Sequence, residues 1–249
     1  MVDPEPLQAP VRTLPYDPAR VKVIACATVI EEMAPRMPAE MAREVLDFGL
    51  HFRPGQLTAA LQAAIDASPD FDAILLGYGM CSRGVIDLVA THCKLVIPRV
   101  DDCIAIFLGS REEYGRQVAS EPGTYYLTKG WIEAKDDPLH GESELTERWG
   151  EAKANRMMKL MLRNYKRIAF IDTGIYEQEH YRGVAKANAE RFDLRFEEIE
   201  GSPNLVEKLL YGPWDEECVV VEKGGVVLYE QFMKDPKAPP PQLPGFGRA

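Results

Sequence analysis

The chain has no surplus of positive charge, no long apolar run and no closely spaced pair of cysteines. Each absence excludes something. The formal net charge is -10 over 249 residues. Nonspecific nucleic-acid binding takes most of its affinity from a basic surface, so nucleic acid is not an expected partner, and neither is an anionic membrane surface. The apolar runs are short, such as Val23 to Ala27 and Ala73 to Leu76. A spanning helix needs ~20 apolar residues, so no membrane segment is expected. The opening stretch "MVDPEPLQAPVRTLPYDP" carries acids and prolines and lacks the apolar core of a secretory signal. That points to a cytoplasmic protein. In that compartment the five cysteines (Cys26, Cys81, Cys93, Cys103 and Cys218), an odd set, are thiols or ligands and not a disulfide framework.

What is present is an ordinary globular composition, 46% hydrophobic and 27% charged. Two Pro-rich tails, residues 1–19 and 235–249, bracket it. The second could lie along a neighbouring subunit in a homo-oligomer. Between the tails, strands and helices alternate. "VKVIACATV", "EVLDFGL", "DAILLGYG" and "KLVIPR" read as strands. "RPGQLTAALQAAIDAS" reads as a helix with Leu57, Ala60, Leu61, Ala64 and Ile65 on one face. "PGTYYLTKGWIE" reads as irregular. A helix is expected over Glu142 to Asn164, with Leu145, Trp149, Ala152, Met157 and Leu160 as its apolar positions. The pattern then begins again. "KRIAFIDT" echoes "KVIACAT", "DLRFEEIEGS" echoes "EVLDFGL", and "EECVVVEKGG" echoes "DFDAILLGYG". Such echoes also arise wherever βαβ units repeat without common ancestry. The expected fold is a layered α/β sandwich with a mainly parallel sheet and two weakly similar Rossmann-like halves, residues 20–141 and 142–234.

In parallel α/β sheets, ligands bind beyond the carboxyl ends of the strands. Cys26 ends the first strand, Cys81 follows the strand that closes at Gly77, and Cys103 follows "VIPRVDD". If these strands are neighbours, three thiols converge at one sheet edge. Three soft donors suit zinc, or an iron–sulfur cluster with one open iron. The three cysteines stand far apart in the chain, so convergence depends on the fold. The bland alternative is a packed thiol, since cysteine is among the most buried residue types. Cys93 and Cys218 open strands at the other end and read as structural.

"GYGMCSRG" also offers Gly-x-Cys at a strand-to-turn junction, like a nucleophile elbow. In that reading Cys81 is the nucleophile and His51 its base. The glycine string Gly77, Gly79 and Gly84 misses the dinucleotide spacing. Polar residues gather at the same inferred edge. Arg53, Arg99 and Arg111 are candidates to hold an anionic group, with Tyr125 and Asp172 beside them. Salt-bridged loop arginines and a turn-capping aspartate are the alternatives.

Five blocks ("FGLHFRPGQLTAALQAAID", "FDAILLGYGMCSRG", "LVIPRVDDCIAIFLGSREEY", "PGTYYLTKGWIE" and "NYKRIAFIDTGIY") resemble the DUF1638 family of bacterial and archaeal proteins, over about residues 20 to 225. That family often occurs beside corrinoid-dependent methyltransferase systems. The resemblance therefore implies a corrinoid protein as partner, or a place in one-carbon metabolism. Members often carry His-Asp-Cys where this chain has Asp101-Asp102-Cys103. The leading expectation is a metal centre on Cys26, Cys81 and Cys103 that binds a small anionic substrate or a partner's cofactor. A cysteine-dependent transferase or hydrolase, and a noncatalytic accessory of a corrinoid system, are the alternatives.

Overall fold

The protein is described from a computed structural model covering residues 16–134 and 142–233. Nearly all of the two expected tails lies outside these residues. Among the described residues, eight strands form two sheets. The first contains β1 (Val21–Cys26), β2 (Ala42–Leu46), β3 (Ala73–Gly77), β4 (Lys94–Pro98) and β8 (Cys218–Val221), in the order β2-β1-β3-β4-β8. The second contains β5 (Thr124–Leu127), β6 (Arg167–Asp172) and β7 (Arg195–Glu200), in the order β5-β6-β7. All pairs are parallel except β4 with β8. The layered, mainly parallel α/β fold is thus as the sequence implies. β3 is buried at every residue. Its unbroken apolar run is what a central parallel strand requires.

Helices supply the crossovers. α1 (Ala27–Met33) follows β1, and α2 (Pro54–Asp66) joins β2 to β3. α3 (Ile104–Leu108) and α4 (Arg111–Ser120) lead from β4 to β5 in the other sheet. α5 (Lys129–Glu133), α6 (Glu142–Trp149) and α7 (Glu151–Leu162) lead from β5 to β6, and α8 (Gln178–Arg191) from β6 to β7. α9 (Asn204–Tyr211) returns the chain to the first sheet. No helix among the described residues is long and apolar enough to cross a membrane.

Four local expectations change. The strand read in "EVLDFGL" stops at Leu46. Asp47 then accepts a hydrogen bond from the Gly49 amide at 2.9 Å and starts a 3-10 turn over Phe48–Phe52. "TYYL", read as irregular, is β5. The helix expected over Glu142 to Asn164 is broken at Gly150, whose φ of 77° lies in the left-handed region. After that break the buried face is Ala154, Met158 and Leu162, while Trp149 and Leu160 are exposed. Finally, "EECVVV" does not close a second copy of the first unit. As β8 it pairs antiparallel with β4, Cys218 opposite Pro98. Cys218, expected at the far end from ligands, therefore stands at the carboxyl edge, because β8 runs backwards relative to its neighbours.

Alternation along β6 joins the sheets. Ile168 and Phe170 pack with Met158, Leu162, Ala185 and Ala189 of the second sheet's own helices. Ala169 and Ile171, pointing the other way, enter the core of the first sheet. The same alternation on β5 sends Tyr125 to one core and Tyr126 to the other.

Candidate functional site

The three cysteines leave three adjacent strands. Cys26 is the last residue of β1 and the N-cap of α1. Its sulfur is hydrogen-bonded to the Thr28 hydroxyl at 3.1 Å. Cys81 lies four residues past β3. The amides of Met80 and Cys81 donate to the carbonyls of Val100 and Asp101, at 2.8 and 3.1 Å. These bonds zip the loop after β3 to the loop after β4. Gly79 permits the contact. A Cβ there would come within 2.9 Å of the Asp102 backbone. Cys81 itself has a φ of 42°. A non-glycine residue in that region costs about 1–3 kcal/mol and persists where surrounding contacts over-determine it. Cys103 precedes α3. Asp102 beside it accepts from the Ile104 amide and from the Tyr114 hydroxyl, both at 2.8 Å.

All three thiols are buried, at 0, 5 and 4% exposure. They lie within electrostatic reach of one another. Burial comes first in raising the Cys81 thiol pKa, followed by Asp102 and Cys26. Burial also leads for Cys103, followed by Cys81, Asp102 and Cys26. The Cys26 thiol is raised by burial too, and the Thr28 bond partly offsets this. The Tyr78 hydroxyl is pushed up by burial and then by the same three cysteines, which places it beside them. Asp102 is raised by burial against its hydrogen bond from Tyr114. The ionisable group facing the thiols is therefore an acid, and its charge, when present, opposes thiolate formation. A cation would reverse this, since metal binding and thiol deprotonation go together. Among the described residues, no group of three or more His, Cys, Asp or Glu side chains stands ready to hold a metal ion. The three donors suit a soft metal by their chemistry.

The other candidates are placed as follows. His51 packs between Phe48 and Tyr78, with ring centroids at 5.4 and 5.8 Å. Burial lowers its pKa, and its Nε2 has no hydrogen-bond partner, Cys81 included. Arg53 is exposed at the start of α2 and lines a groove of about 260 Å³ with Asp47 and Phe52. Arg99 lies toward β8, where its amide donates to the Glu217 carbonyl at 2.8 Å. Arg111 donates to the Phe232 carbonyl at 2.7 Å and to Asp101 at 3.2 Å, so it ties loops together. Tyr125 packs on Tyr165, on the second sheet's own side. Asp172 accepts from the Gly174 amide at 2.8 Å and pairs with Arg182 at 3.4 Å, the arrangement of a turn cap. The cysteines are thus brought together, and the three arginines are not.

Sequence reading passed over Tyr78, Tyr114 and Glu32. Tyr78 stands in a stretch already singled out, but nothing in spacing marks its side chain as buried. Glu32 is 5% exposed on α1. It accepts from Thr173 at 3.1 Å across the joint between the sheets, and Tyr176 also bonds to it. Desolvation, ahead of those bonds, raises its pKa to about 7. A larger open groove of about 920 Å³ runs along α2, against Thr58, Gln62, Arg83 and Asp87. The cysteines do not line it.

Residues 45–210 match the family described as "Protein of unknown function (DUF1638)". No curated protein and no solved structure matches the chain.

Proposed function

This chain belongs to the DUF1638 family, and we propose that it works through a thiolate–metal centre on Cys26, Cys81 and Cys103. The observation that carries the reading is the delivery of three buried thiols, from the ends of three adjacent strands, to one carboxyl edge. Zinc or an iron–sulfur cluster suits three soft donors and leaves a position for substrate. When bound, such a group supplies Lewis acidity. The chain's own part is to exclude water through the surrounding core, and to set Asp102 and Tyr78 beside the sulfurs. Asp102, held by Tyr114, is a candidate to accept a proton as the thiols ionise. Metal and acid-labile sulfide determination, with an anaerobic optical spectrum of the purified protein, tests the proposal. Bound metal lost on Cys81→Ala supports it. Folded protein that stays metal-free after anaerobic reconstitution sinks it.

One observation favours a second reading, Cys81 as nucleophile. Its left-handed backbone, just past a strand, resembles the turn that presents a nucleophile. Against this, the Cys81 amide is already bonded to Asp101, the thiol pKa is raised, and His51 does not bond to it. Selective alkylation of Cys81 at neutral pH is the result that would prefer this reading.

A further inference from the structure

Three buried polar atoms without a partner in the protein lie on rings linked through Phe48 and His51: Nε2 of His51, the hydroxyl of Tyr78 and Nε1 of Trp131. The Phe48 ring is 5.4 Å from His51 and 4.9 Å, edge-on, from Trp131, and His51 is 5.8 Å from Tyr78. The rings come from the turn after β2, the exit of β3, and α5 beyond β5 of the other sheet. The set therefore spans the joint between the sheets.

A buried polar atom left unpaired has given up its water without a replacement, which is costly. Native structures rarely leave such groups unmet. An indole N–H only donates, a phenol O–H donates readily, and a neutral imidazole can donate from one nitrogen. Burial keeps His51 neutral. The shared demand is for oxygen acceptors set among aromatic faces. The three donors are themselves uncharged, and a charged group buried among them with no opposite charge would lose its hydration without compensation. Arg53 is exposed, Arg111 is engaged by the Phe232 carbonyl and Asp101, and Arg99, whose Nε is buried without a partner, lies toward β8.

We infer that His51, Tyr78 and Trp131 bind an uncharged, planar molecule through a carbonyl oxygen, and form the substrate face of the cysteine cluster. The inference rests on reading that cluster as the working centre. It replaces the anionic substrate suggested by the arginines.

The test is a titration of the full-length chain followed by proton–nitrogen spectra. The Trp131 indole resonance is identified by its loss in Trp131→Phe. The probes are acetamide and benzamide, with acetate and benzoate as charged counterparts. The expected result is a saturable shift of that resonance by an amide, weakened about tenfold in Tyr78→Phe and in His51→Phe, as loss of one hydrogen bond implies. The carboxylates should bind more weakly. Tighter carboxylate binding overturns the uncharged class. An indole resonance that no probe moves overturns the site, its partner then being water. Tyr78→Phe removes only an unpaired hydroxyl and should fold as the parent does. Metal content measured on the same samples separates the readings. Metal-free protein that still shifts sinks the metal centre alone, and metal-loaded protein that does not shift sinks the ring site alone.

Discussion

The Tyr114 hydroxyl, on α4, donates a 2.8 Å hydrogen bond to the carboxylate of Asp102, which precedes Cys103. One side chain thereby fixes the loop that carries one thiol and, through the Gly79 contact, braces the loop that carries another.

Tyr114→Phe should destabilise the fold by about 1–3 kcal/mol, because it leaves a buried acceptor unpaired. The bond lowers the Asp102 pKa against the upward pull of burial. Its loss therefore harms the ionised form more, and the destabilisation should be larger at neutral than at acid pH. Urea unfolding at two pH values measures this. An equal loss at both would show that Asp102 stays protonated.

Gly79→Ala should cost about 1–3 kcal/mol, since the new methyl meets backbone that cannot swing aside. Gly55→Ala is the control, because nothing lies within 4 Å of a Cβ there. Denaturation midpoints of the two variants should separate clearly, and coinciding midpoints would refute the close-contact explanation.

Glu32 makes stability depend on pH. Its folded pKa, about 7, lies above the ordinary 4.5. Between these values the folded chain binds more protons than the unfolded one, so stability falls as pH rises through that window and levels off above it. Glu31 and Arg36 also face Glu32 and modulate the slope. The shift corresponds to a change on the order of 3 kcal/mol. Glu32→Gln should remove it, and a wild-type-to-variant difference that stays flat with pH would count against the buried acid.

Five single Cys→Ser variants should fall into two groups in metal analysis. Cys26, Cys81 and Cys103 should each be needed for bound metal. Cys93, at the opposite edge of the sheet, and Cys218, across from Pro98, should not. The same metal content in all five variants would exclude the proposed ligand set.

The strands were legible because β-branched apolar runs have few other ways to bury themselves. β1, β3 and β4 fall where "VKVIAC", "AILLG" and "KLVIP" stand. From these, the gathering of Cys26, Cys81 and Cys103 followed as an inference about neighbouring strand ends. β5 was missed because four residues inside an aromatic, Gly- and Pro-flanked stretch carry too little pattern to separate strand from loop. The face of α7 was misplaced because Gly150 resets the helical phase, and periodicity counted across it points the wrong way.

The sequence by itself determined the α/β class and the positions of the thiols at strand ends, since both follow from local patterns of apolar and turn-forming residues. Only the tertiary structure decided what surrounds them. β8 reverses direction and carries Cys218 to the carboxyl edge. The second sheet lays Ala169 and Ile171 into the first core. Arg111 is spent on the Phe232 carbonyl, and Asp102 finds Tyr114. Each of these is a contact between residues distant in the chain, set by packing and by the satisfaction of buried polar groups, and local sequence carries no record of such partners.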